Sequence, residues 1–229
     1  MLGILTGQNV LSSLSFNLTR FADTGTTLQA TTAAVQPGFA INFASGVAID
    51  FTIRIGWPQL ELGAFATSPI RTAAAAATRA ADVVTLATGS WFNVGAGTLY
   101  GSVKTASVQD IQTLAVINNG ADNDRYTIRS SSGSMAGTII TGGVLQAGMF
   151  KGTLAASALL KSAIAFEPNN AAFTTAGAAP ATGLTISLPT VTTLRVGSRQ
   201  NTEYMNGYIE RIAYFPRRLS NAELQSFTA

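Results

Sequence analysis

Apolar and polar side chains alternate with a period of two along much of the chain. Near the start, Leu14, Phe16 and Leu18 alternate with Ser15, Asn17 and Thr19, and Phe39, Ile41 and Phe43 repeat the pattern. Val47, Ile49, Phe51, Ile53 and Ile55 then alternate with Ala48, Asp50, Thr52, Arg54 and Gly56. Because successive side chains of an extended chain point to opposite faces, this spacing predicts half-buried antiparallel strands. The pattern returns further on. Leu99, Gly101, Val103 and Thr105 alternate with Tyr100, Ser102 and Lys104; Leu160, Ser162, Ile164 and Phe166 oppose Lys161, Ala163, Ala165 and Glu167; Leu194 and Val196 flank Arg195. Turn clusters fall between these runs at Asn118-Asn119-Gly120, Ser130 to Gly133, Gly142-Gly143 and Pro168-Asn169-Asn170. Many short strands with regular turns predict an all-β fold, an antiparallel β-sandwich or jelly roll.

One helix is expected, at the C-terminal end. Ser220-Asn221-Ala222-Glu223 has the spacing of a capping box, and Leu219 is placed to staple onto Leu224. Just ahead of it, Asn206-Gly207 predicts a tight turn, Tyr208, Ile212 and Tyr214 anchor a long strand, and Pro216 ends that strand.

A break separates the two strand-rich parts. Thr67-Ser68-Pro69-Ile70 is extended, since Pro restricts its predecessor. The run Ala73 to Ala77 reads as a small-residue linker, with a single helical turn as the alternative. The expected organisation is a small β region over residues 1–70, a linker over 71–81 and a larger β domain over 82–229. The strands between Leu11 and Ile55 are too few to close a sandwich, so their open edges predict oligomerisation through the N-terminal region.

Composition narrows the chemistry. The 229 residues include no His and no Cys. That removes the commonest general base and zinc ligand, the Ser-His-Asp triad, thiolate catalysis and any disulfide framework. The net charge of +3 is spread thinly, with Arg217-Arg218 the tight basic pair, so no nucleic-acid groove is expected. Uncharged stretches such as Thr24 to Ile49 are rich in Thr, Gln, Gly and Asn and predict no membrane span, and Met1 to Leu5 lack the features of a secretory signal. No Glu-x-Asp-x-x-Glu strand is present; Glu203 reads as isolated in a turn and Glu223 as a cap, so no catalytic residue is assigned and the chain is expected not to be an enzyme.

Binding chemistry remains. Sugar recognition needs an aromatic face beside hydrogen-bonding groups, and Trp91, Tyr100, Arg199, Asn201 and Tyr204 are the candidates; for each aromatic, core or rim packing is the plainer reading. The loop Asn118 to Asp124 offers Asp122 and Asp124 to calcium, against the plainer reading of a polar hairpin loop. No other cofactor is expected.

Two stretches resemble known families. Gly56-Trp57-Pro58-Gln59-Leu60-Glu61-Leu62-Gly63, running on to Ile70, resembles the final strand and exit of a carbohydrate-binding-module-like jelly roll of phage tail and virion proteins, and Thr78 to Val83 the connector that follows it. Leu194 to Arg199 and Met205 to Ser220 resemble the last strands of concanavalin A-like (laminin-G-like) domains in phage structural proteins. The resemblance implies a concanavalin A-like jelly roll over 82–229 behind a remnant of the other module. It also implies a non-enzymatic virion protein, a tail fibre, head fibre or decoration, that is a homotrimer contacting other virion proteins and a cell-surface glycan. A dedicated carbohydrate-binding adhesin and a glycan hydrolase or lyase of the same fold are the alternatives.

Overall fold

The computed structural model describes residues 45, 46, 48, 50, 52, 56, 58–61, 68–105, 108 and 111–229. The alternations read at 14–19, 39–43 and 47–55 lie outside these residues, apart from isolated positions. The chain divides into two units, Met1–Ala80 and Ala81–Ala229. In the first, the backbone N–H of Ile70 donates to Gln59 Oε1 at 2.7 Å. Residues 68–83 form neither helix nor strand, so Ala73 to Ala77 makes no helical turn.

The second unit is a two-layer sandwich. Its strands are β1 (Val84–Ala87), β2 (Gly97–Thr105), β3 (Thr113–Asn118), β4 (Arg125–Ser131), β5 (Ser134–Thr141), β6 (Val144–Lys151), β7 (Leu159–Glu167), β8 (Asn170–Thr175), β9 (Ala181–Gly183), β10 (Thr193–Val196) and β11 (Gly207–Phe215), followed by helix α1 (Asn221–Thr228). One sheet has the order β1-β10-β3-β4-β5-β6 and the other β11-β2-β7-β8-β9, every pair antiparallel. The crossing of β10 back between β1 and β3 is the step that matters for the site below.

Period-two patterning makes the core. Leu99, Val103, Ile164, Phe166 and Phe173 point inward from the five-stranded sheet; Ile117, Tyr126, Ile128, Met135, Ile139 and Met149 meet them from the six-stranded one, all buried. Tight turns fix the register. Ser132-Gly133 and Gly142-Gly143 close the β4–β5 and β5–β6 hairpins with positive φ at both positions, the primed geometry that matches strand twist.

Two local expectations are corrected. Gly207 does not sit in a turn; it begins β11, pressed so closely on β2 that a Cβ would lie 2.1 Å from the carbonyl oxygen of Lys104. Tyr208 does not anchor that strand. It pairs with Lys104 on the outward side and is 82% exposed, while Ile209, Ile212 and Tyr214 turn to the core on either side of a register shift between Ile209 and Arg211.

The six-stranded sheet is open at one end. All four residues of β1 are exposed and its strand partner is β10. Val84 and Leu86 share the core side with Val196 and Leu194, yet the opposing sheet leaves them 56% and 55% exposed.

Helix α1 packs on the outer face of the five-stranded sheet, where Leu224 meets Tyr100, Ala163, Ala165, Ala172 and Leu219. Ser220 Oγ accepts from the Glu223 N–H at 3.2 Å and Glu223 Oε2 accepts from the Ser220 N–H at 2.7 Å, so the capping box is complete. A two-pronged contact from Arg217 to Glu223, at 2.7 and 3.2 Å, steadies it. Ser220→Ala is expected to lower stability by about 1 kcal/mol, read as a shift of the urea midpoint at unchanged slope.

Candidate functional site: an arginine-lined sheet face

β4 reads Arg125-Tyr126-Thr127-Ile128-Arg129, and Tyr126 and Ile128 are taken by the core. The alternate residues Arg125, Thr127 and Arg129 therefore point to the other face of the six-stranded sheet, where Thr127 and Arg125 are nonetheless buried. β3 sets Asn118, Val116 and Thr113 against them in register, and β10 sets Thr193 and Arg195 against Asn118 and Val116. Arg195 stands between two core residues of its own strand and faces outward by the same parity.

A fourth arginine arrives from the loop between β10 and β11. Arg199 and Thr202 close a small hairpin through paired backbone bonds of 2.9 and 2.8 Å, and its tip residues Gln200 and Asn201 adopt φ of 53° and 81°. Asn tolerates this left-handed conformation better than most residues; Gln does not. Glu203, also left-handed at φ 51°, follows at once. The loop is pinned to β3 where the Thr113 N–H donates to Glu203 O at 2.8 Å and Thr113 Oγ1 donates to Glu203 Oε2 at 2.9 Å.

The charges form a chain of partial pairings. Arg199 sits 2.8 Å from the Glu203 carboxylate and 3.6 Å from that of Asp122. Arg129 lies 3.5 Å from Glu203, and Arg125 lies 3.6 Å from the Asp122 carboxylate while also donating to the Asp122 carbonyl. Among the described residues Arg195 makes no side-chain hydrogen bond or ion pair, so four guanidinium groups share two carboxylates. Burial first, and then repulsion by Arg199, holds the Arg125 guanidinium below its usual pKa, partly offset by Asp122. Glu203 is thus not isolated: it holds the network's centre, with its side chain 13% exposed.

Unspent hydrogen-bonding capacity gathers on the same face. Among the described residues, ten buried side-chain polar atoms have no partner, and eight belong to this face or its loop: Asn118 Nδ2, Arg125 Nε, Thr127 Oγ1, Arg129 Nε, Arg195 Nε, Arg199 Nε, Gln200 Nε2 and Asn206 Nδ2. Seven of these eight are nitrogen donors. Buried polar groups are ordinarily satisfied, and each orphan costs about 1–3 kcal/mol. Donors of this kind beside surplus positive charge can hydrogen-bond an anion with several acceptor oxygens.

The candidates read from the sequence are distributed differently. Arg199, Asn201 and Tyr204 lie together in the β10–β11 loop, with Tyr204 40% exposed. Trp91 is not with them; it packs edge-on against Tyr214 at 5.2 Å, and its Nε1–H donates to the Ala87 carbonyl. Tyr100 is on the opposite sheet, only 8% exposed, at a groove of about 460 Å³ that it shares with Lys161, Glu210 and Phe227. Asp122 is turned to two arginines, and Asp124 accepts from Asn119 and from the Gly142 N–H. No group of three potential metal-ligating side chains forms among the described residues. Arg125, Arg129 and Arg195 are not among the sequence candidates, and Glu203, expected to be isolated, is paired. The alternation Arg-Tyr-Thr-Ile-Arg in β4 was the available signal.

No protein-family model matches the sequence, and no curated protein is significantly similar to it. Solved structures are similar in fold. The CBM40 of the Ruminococcus gnavus IT-sialidase bound to alpha2,3 sialyllactose aligns with a TM-score of 0.52 at 20% identity, over 60% of this chain and 84% of that one. The same module bound to alpha2,6 sialyllactose gives 0.50 at 20% identity, over 60% and 85%. Mouse laminin alpha1 chain domains LG4-5 give 0.49 at 12% identity, over 61% and 40%. At such identities the likeness establishes architecture: the chain carries an antiparallel β-sandwich of jelly-roll type with one short C-terminal helix, as its sequence pattern predicts.

Proposed function

We propose that the sandwich is a non-catalytic binding module whose arginine-lined face takes the acidic group of a glycan, displayed on a virion appendage. The observation that carries the reading is the collection of orphaned, buried donors among four arginines. A carboxylate brings oxygen acceptors and negative charge to groups that lack both, and the planar guanidinium fork matches its geometry. The bound sugar of the similar CBM40 structures, sialyllactose, is of this class, which supports the choice of ligand. The virion setting is supported by the resemblance of Leu194 to Arg199 and Met205 to Ser220 to phage structural domains. In that setting several copies act together, and the trimer that the resemblance implies raises avidity without new contacts.

Titration calorimetry with sialyllactose and with lactose tests the reading. Sialyllactose is expected to bind and lactose to bind at least tenfold more weakly. Arg195→Ala is the clean variant, because Arg195 serves no ion pair that the fold uses. It is expected to weaken sialyllactose binding about 30-fold, the equivalent of about 2 kcal/mol. Equal affinity for the two sugars, or an indifferent Arg195→Ala, overturns the assignment.

A further inference from the structure

The outer face of the six-stranded sheet continues past the arginines. Arg125 is in register with Ile140, and Ile140 with Leu145; Arg129 is in register with Ala136, and Ala136 with Phe150. Between these rows, Thr127 meets Thr138 and Thr138 meets Gly148. Residues in register share a face, so the charged rows of β4 run directly into Leu145, Gly148 and Phe150 on β6. Ala147 and Met149 of that strand go to the core, which confirms the parity.

These positions form a shelf. Leu145 is 59% exposed and Phe150 54%. A Cβ on Gly148 would lie 3.5 Å from Leu145 Cδ2 and 3.8 Å from Phe150 Cε2, so the two apolar side chains frame the gap left by the glycine. Exposed large apolar groups on a soluble sheet face mark contact surfaces when they cluster. Here the cluster adjoins an anion-seeking site, two strands away at about 10 Å given the usual strand spacing.

We propose that Leu145, Gly148 and Phe150 form a second subsite, which receives the apolar C–H face of the sugar next to the acidic one. The ligand is then an acidic oligosaccharide lying across the strands from β4 to β6. A pyranose ring has one face of C–H groups that packs on an aromatic ring, and the glycine gap admits the ring edge between the two side chains. Continuity with the arginine rows selects this occupant: a ligand anchored by its acid at Arg125 and Arg129 reaches past the buried Ala136 and Thr138 of β5, so that its next ring meets the exposed side chains of β6. The inference rests on the acidic-glycan reading of the arginine face.

The experiment compares alpha2,3 sialyllactose with free N-acetylneuraminic acid by calorimetry, on the full chain and on Phe150→Ala, Leu145→Asn and Arg195→Ala. Phe150→Ala is expected to weaken sialyllactose about tenfold and to leave the monosaccharide unchanged, with Leu145→Asn acting in the same direction. Arg195→Ala is expected to weaken both ligands. If both ligands depend on Arg195 and neither on Phe150, the shelf is overturned while the arginine reading stands. If wild-type protein binds no acidic sugar, both fall. If Phe150→Ala instead lowers the oligomer mass in sedimentation, the shelf is a contact between copies and the subsite is overturned.

Discussion

Gly137→Val is expected to lower the unfolding free energy of the sandwich by at least about 3 kcal/mol. Gly137 lies on the inner side of β5, across from Phe173 of β8. A Cβ built there would stand 2.5 Å from Cδ2, 2.7 Å from Cγ and 2.9 Å from Cβ of Phe173. Phe173 is fully buried, and the clash includes its own Cβ, an atom that no rotation about χ1 can move aside. Relief requires the sheets to separate or β5 to shift, and β5 is tied on both sides, to β4 and to β6. Overpacking typically costs about 1–3 kcal/mol where side chains can give way; here the obstacle is fixed and valine adds two methyl groups beyond the clashing Cβ, so the effect lies at or above that limit. For a unit of this size the melting temperature should fall by about 10 °C. A loss under about 1 kcal/mol would show that Phe173 does relocate.

Phe166→Ala should cost about 3–5 kcal/mol. Phe166 is fully buried and stacks on Tyr126 with ring centroids 3.8 Å apart and planes 16° from parallel, joining β7 of one sheet to β4 of the other. Its Cζ also fills the place a Gly97 side chain would occupy, at 2.7 Å from that virtual Cβ. Removing the ring opens a void bounded by Tyr126, Phe92 and the bare backbone of Gly97. The Tyr126 hydroxyl, buried without a partner among the described residues and with its pKa pushed far up by burial, has no hydrogen bond to gain from the change. Phe166→Leu should recover more than half of the loss. Urea unfolding of the two variants provides the comparison, and equal midpoints would argue that stacking, rather than filled volume, is what Phe166 contributes.

The architecture was legible because its signals are local. Leu99 and Val103, Ile164 and Phe166, and Leu194 and Val196 alternate with outward residues just as β2, β7 and β10 require. Ser130 to Gly133, Gly142-Gly143 and Pro168-Asn169-Asn170 all fall at hairpins, and Ser220 caps the helix. The site was less legible because it is assembled across the chain. Arg125 and Arg129 lie some seventy residues from Arg195 and Arg199, and they meet because β10 crosses back to pair with β3 rather than with β9, which precedes it. Linear charge density therefore reads as dilute although the sheet concentrates it. Tyr100 was misleading for a related reason. Its alternation places it outward, but α1 returns to cover that outer face, so an outward position becomes a buried one.

The uncovered edge at β1 gives the sandwich an uneven resistance to opening. A four-residue exposed strand whose one strand neighbour among the described residues is β10 loses little apolar burial when it detaches, so its release requires far less free energy than global unfolding. Peeling begins there and stops at β10, whose other side is bonded to β3. Thr85 is the register partner of Arg195, so each such excursion strips the strand flanking that arginine while leaving β3 and β4 intact. The arginine face thus spans a gradient of rigidity: Arg125 and Arg129 ride on the slow-opening centre of the sheet, and Arg195 borders its fast-breathing margin.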